Sequence, residues 1–159
     1  MSSKTLRTLV RLAAIAVGLC GLAGAGLLLP ALGLDIIRTA PELTRMFWPW
    51  MIFIWLLAIP CFTVLVYVWK VSTAVGQEEV FSMKTARWVK NSALLIFMDV
   101  GLLFVGNALF ALLGMTHFSV ILLSLIICII SMAIGVLTAA LARYITKAAA
   151  LQEEADGTI

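Results

Sequence analysis

Apolar residues gather in four long runs, 9–29, 47–69, 91–113 and 118–141, each set off from the next by a polar interruption. About 20 helical residues cross the ~30 Å hydrocarbon core of a bilayer, and every run reaches that length. The pattern predicts an all-α integral membrane protein with four transmembrane helices gathered as a four-helix bundle. The interruptions are unequal: 30–46 and 70–90 read as polar loops, whereas 114–117 is short enough to make the last two helices antiparallel neighbours. Within 70–90, Gly76 supplies a helix stop, and Ser82 an N-cap for a helix that begins near Met83 and runs unbroken into the third span. After residue 141 no breaker occurs before Gly157, so the tail 142–159 is expected to leave the membrane as a helix.

Composition sharpens the class. The chain has 159 residues, 64% hydrophobic and 12% charged, with a mean hydropathy of +1.14. A soluble domain is about a quarter charged. Four spans and their connections use nearly all of this length, so a single transmembrane domain is expected, with no soluble catalytic domain beside it. No basic cluster carries stacking aromatics, so direct nucleic-acid binding is not expected.

The basic residues orient the spans. Lys4, Arg7 and Arg11 precede the first run, Lys70, Lys84, Arg87 and Lys90 lie between the second and third, and Arg143 and Lys147 follow the fourth. Only Arg38 and Arg45 lie on the opposite side. The positive-inside bias predicts both termini in the cytoplasm. The basic, apolar start resembles a signal peptide, but its apolar run continues through Leu29, so it is expected to stay as the first helix.

Little in the chain is arranged for catalysis. Cys20, Cys61 and Cys128 stand singly within separate spans and read as small packing residues. His117, the lone histidine, has no companion ligands, so neither a metal site nor a cofactor is expected. Phe47, Trp48 and Trp50 at the outer end of the second span, with Tyr67 and Trp69 at the inner end, read as interfacial anchors. Without a nucleophile and base at either aqueous face, an enzyme is not expected and no catalytic residue is assigned.

Some residues within the spans need an explanation. Ala14, Gly18, Gly21, Gly24, Ala25 and Gly26 give the first helix the small-residue spacing on which helices associate in lipid, within the chain or in a homo-oligomer. Pro60 should kink the second span and free a carbonyl. Asp99 lies nine residues beyond Lys90, roughly 13 Å along the helix and near the bilayer centre. Placing an Asp there costs about 2.5–3.5 kcal/mol, so it should face the bundle and find donors among Ser, Thr or the backbone near Pro60. Asn107 follows two turns later, and Ser92, Asp99 and Gly106 share a face. Asp99 is thus the candidate for a proton-coupled transporter or ligand sensor.

At the basic end, "VFSMKTARWVK" sets Lys84, Arg87 and Lys90 at the headgroup level, where anionic lipid attracts them. The tail "LQEEADGTI" places Glu153, Glu154 and Asp156 at a helix C-terminus, against the macrodipole. Four spans with these two segments resemble the bacterial YoaS-like membrane proteins, domain of unknown function 2975. The resemblance rests on Phe81, Ser82, Lys84, Arg87 and Lys90 in the loop and on Glu153, Glu154, Asp156, Thr158 and Ile159 in the tail. It implies a non-enzymatic protein of the bacterial inner membrane, paired with a small helix-turn-helix regulator that these two segments tether or inhibit.

Overall fold

A computed structural model describes residues 3–76 and 80–156. The described chain is all-helical: α1 (Ser3–Ala23) passes through a π-helical turn (Gly24–Leu28) into α2 (Leu29–Thr39), and a 3-10 turn (Pro41–Leu43) leads to α3 (Thr44–Gly76). Then come α4 (Met83–Leu112) and α5 (Phe118–Asp156). Four helical stretches, Lys4–Thr39, Pro41–Gly76, Met83–Leu112 and Phe118–Ala155, are long and apolar enough to cross a membrane. That is the make-up of a multi-pass membrane protein.

The first connection differs from the polar loop expected over 30–46. Helix occupies almost all of that segment, and the chain leaves helical geometry only at Ala40, with φ −136° and ψ 79°. Leu32, Leu34, Ile36 and Ile37 carry the apolar character past Pro30, and few polar residues interrupt them.

The π-turn explains how the rod passes Pro30. A proline ring clashes with the carbonyl four residues back and offers no N–H to the ladder. Here the ladder widens, and the Leu29 N–H bonds to the Gly24 carbonyl five residues back. In that register the Ala25 carbonyl would accept from residue 30, which has no N–H to give. The Trp55 indole N–H of α3 donates to it instead, at 3.1 Å. One deviation in α1 is thereby answered by one side chain of the next helix.

The termini expected from the sequence hold where side chains cap them. Ser82 Oγ accepts from the Thr85 N–H at 3.2 Å, α3 is helical through Gly76, the last described residue before 80, and α5 runs on to Asp156. The α4–α5 turn is closed by backbone bonds from Gly114 to Ala111 (3.1 Å) and from Met115 to Phe110 (2.8 Å), with Gly114 at φ 66°. That double closure needs a left-handed residue at Gly114, and glycine takes the conformation without steric cost. Pro60, the expected kink site, is buried, and α3 stays helical through it and through Pro49.

The helices pack in chain order. α1 lies on α3, α3 on α4 and α4 on α5, with no backbone approach of α1 to α4 or α5, or of α3 to α5, among the described residues. The expected four-helix bundle is laid out as a row of chain-order contacts, with no α1–α5 seam among the described residues. Small residues set its seams: Gly18 faces Leu65 and Gly21 faces Phe62, a Cβ at Gly106 would collide with the Phe53 ring, and Gly135 lies against Phe97. Gly24 and Gly26 meet nothing within 4 Å, so only part of the small-residue stripe of α1 is used within the chain.

The two ends of the row are built differently. Near the α4–α5 turn, Trp50, Phe53 and Phe110 form an aromatic cluster, with Trp50 and Phe110 centroids 4.7 Å apart. The Trp50 indole donates to the Met115 carbonyl at 2.8 Å. Trp50 thus holds the turn rather than anchoring outward as expected, while Trp48 is exposed. At the opposite, basic end, Ala86, Val89, Ala142 and Ile145 form the core cluster, with Val71 against it. The most deeply buried of the described residues lie there too: Thr85 is 0% exposed, and Ser72 and Ala149 are 1%.

The π-turn account makes a prediction. Trp55→Phe should lower stability by about 1 kcal/mol, the worth of a hydrogen bond across helices. In a Pro30→Ala background, where residue 30 regains its N–H, the same change should cost far less. Thermal unfolding of the four proteins in detergent measures the difference, and equal costs in both backgrounds would refute the account.

Candidate functional site

Asp99 lies in the middle of α4 and faces α3. The Cys61 thiol, one residue after Pro60, donates to Asp99 Oδ2 at 3.3 Å, and Asp99 Oδ1 is buried with no hydrogen-bond partner. The expected Ser, Thr or backbone donors are absent from this carboxyl. Hydroxyls of the spans turn back on their own helices instead: Thr63 donates to the Ile59 carbonyl and Thr138 to that of Ile134. A thiol binds its i−4 carbonyl only weakly, so Cys61 is left to reach across the seam. Its assignment as a packing residue is therefore corrected. Cys128 fits that assignment, being buried with its sulfur 4.0 Å from the Val100 carbonyl; Cys20 is exposed.

The shared face of Ser92, Asp99 and Gly106 is in part the α3 seam. Gly106 lies under Phe53 and Asp99 meets Cys61, while the buried Ser92 hydroxyl returns to the Trp88 carbonyl. Asn107 belongs to the other side of α4. It lines a cavity of about 140 Å³ with Ser124 and Cys128 of α5, donates to the Leu103 carbonyl at 3.0 Å, and leaves Oδ1 buried without a partner. Asp99 thus meets α3 while Asn107 faces α5, and among the described residues no hydrogen bond joins the two. Among the described residues, no group of three His, Cys, Asp or Glu side chains is placed to hold a metal ion.

At the basic end, Ser82 is the α4 cap, and its hydroxyl also donates to Thr85 Oγ1 at 3.0 Å. Phe81 is 56% exposed just ahead of it. Lys84, Arg87 and Lys90 stand exposed on α4. Lys84 and Lys70 approach the Trp88 ring, at 5.4 and 5.9 Å, so Trp88 is covered by cations. Glu153 and Glu154 are exposed on the last turns of α5, and Asp156 ends that helix. Thr158 and Ile159 lie outside the described residues. Loop and tail share one end of the molecule, because the start of α4 runs antiparallel to the end of α5 through the Ala86–Val89–Ala142–Ile145 cluster.

Read for charge balance alone, Lys4, Arg7 and Arg11 give only orientation. Their three- and four-residue spacing was the sign that they share one helix face, and the structure sets that face against the end of α3.

The chain matches, over residues 32–159, the family model described as a protein of unknown function (DUF2975), and it belongs to that family. The match begins within α2 and takes in α3, α4 and α5. No curated protein and no solved structure matches the chain.

The Cys61–Asp99 contact yields a prediction. Cys61→Ala removes the one hydrogen-bond donor at a half-buried carboxyl and should cost about 1–3 kcal/mol, whereas Cys61→Ser keeps a donor and should cost less. In an Asp99→Leu background, Cys61→Ala should be nearly neutral. Unfolding in detergent tests this, and the same cost in both backgrounds would exclude the coupling.

Proposed function

We propose that this member of the DUF2975 family is a non-enzymatic, multi-pass protein of the bacterial inner membrane, with both termini in the cytoplasm, that docks a cytoplasmic partner on its basic end. The partner best suited is a small helix-turn-helix regulator, which the protein tethers or inhibits. The observation that carries this reading is where the deepest burial lies. Lipid-facing helices need no tight core beyond the hydrocarbon, yet Ser72, Thr85 and Ala149 are almost completely enclosed, respectively after the apolar run of α3 ends, before that of α4 begins and after that of α5 ends. The result is a shaped platform with Phe81 exposed and α5 prolonged past it.

Electrostatics supplies a mechanism. Glu153, Glu154 and Asp156 extend from the platform and complement a DNA-reading surface, so docking competes with DNA for the same basic side chains. Deleting residues 152–159, or replacing Phe81 by Ala, should lower the amount of a candidate regulator retained by the membrane fraction about tenfold, the equivalent of ~1.4 kcal/mol. Full retention by both variants would overturn the proposal.

One observation favours a second reading. The partnerless, buried Asp99 Oδ1 is a group that a proton would satisfy. If it serves transport, Asp99→Asn abolishes proton-dependent uptake or efflux in vesicles; equal activity in both proteins removes transport from consideration.

A further inference from the structure

Lys4, Arg7 and Arg11 occupy one face of the first turns of α1, where the helix dipole is also positive. That face meets the last two turns of α3. Arg11 Nη2–H donates to Thr73 Oγ1 at 2.9 Å, and its guanidinium lies 4.7 Å over the Trp69 ring. The Arg7 side chain crosses Gly76 so closely that a Cβ there would collide with it, and the Arg7 carbonyl accepts from the buried Ser72 hydroxyl at 3.0 Å. With Lys4, Thr8 and Trp69, these side chains border a groove of about 420 Å³.

Among the described residues the groove lacks a counter-charge. No carboxylate pairs with Arg7 or Arg11 among the described residues, and the Nε of each is buried with no hydrogen-bond partner. Like charges one helical turn apart oppose each other, yet here both guanidinia are held in place by neighbours. Lys84, Arg87 and Lys90 are different, since they stand exposed on α4. We infer that the groove between α1 and the end of α3 is a binding site for a phosphate group, supplied by the headgroup of an anionic lipid. Guanidinium forks match phosphate oxygens in pairs, and basic pockets between membrane helices are suited to phosphorylated headgroups. Leu12 and Ile15 line the same groove beyond the cations. That apolar wall suits the glycerol and first acyl carbons of a lipid and offers nothing to free phosphate.

The test uses the full chain in detergent, titrated with phosphatidylglycerol, phosphatidylcholine or inorganic phosphate, with bound lipid counted by native mass spectrometry and thermal stability followed in parallel. Phosphatidylglycerol should be retained in preference to phosphatidylcholine, and the preference should fall about tenfold in Arg7→Gln/Arg11→Gln but much less in Lys84→Gln/Arg87→Gln, which removes only the diffuse attraction of exposed cations. Gly76→Ala displaces the Arg7 side chain without changing any charge and should weaken retention several-fold, which keeps the test open if the double variant does not fold. Stabilisation by inorganic phosphate equal to that by phosphatidylglycerol, and lost in the same variants, would assign the phosphate site to a soluble ligand and overturn the lipid. Equal loss in the α4 variant, or no preference in the native chain, would overturn the site itself.

Discussion

A backbone carbonyl freed within hydrocarbon has no water to turn to, and that constraint orders the apolar half of this molecule. It explains why α1 and α2 form one rod around a π-turn instead of breaking at Pro30, and why Trp55 reaches from α3 to Ala25. It also accounts for the Ser and Thr hydroxyls within the spans, most of which bond to carbonyls three or four residues back on their own helices. Few polar groups are then left to join one helix to another. Those that do, among them Trp55 to Ala25, Arg11 to Thr73, Ser72 to Arg7, Asn91 to Tyr67 and Cys61 to Asp99, cross the α1–α3 and α3–α4 seams. The α4–α5 seam is held chiefly by close packing around Gly135 and the Ala86–Ile145 cluster.

The ends of the row have different tasks. Around the α4–α5 turn, rings and one indole hydrogen bond fix the chain reversal. At the basic end, small and hydroxylated residues are enclosed almost completely, and charged residues stand outside them. A tight core with charged residues outside it sets this end apart from the middle of the row, which presents mainly aliphatic side chains suited to lipid.

Features that depend on neighbours in sequence were legible. The Ser82 cap, the tight turn over 114–117 and the long α5 each follow from a few adjacent residues, and the structure has all three. The four spans were legible too, because hydropathy is read residue by residue. What escaped depends on a distant partner. Nothing near Pro30 announces that Trp55 will accept the task of satisfying Ala25, so 30–46 read as a loop. Nothing near Cys61 names Asp99, so a thiol that crosses a seam read as filler. Trp50 looked like its neighbour Trp48 until Met115 was placed beside it. The row was also hidden, since the same periodicities serve a bundle with an α1–α5 seam equally well.

That row has a consequence for how the molecule assembles. Among the described residues, each membrane-crossing stretch makes its close backbone approaches to the stretches next to it along the chain, so no backbone approach waits for the last to find the first. Closure of every seam needs a loop of modest length, and low sequence separation favours rapid pairing. Each hairpin has its final partner as soon as it has entered the bilayer, and the row grows from one edge to the other in the order of synthesis.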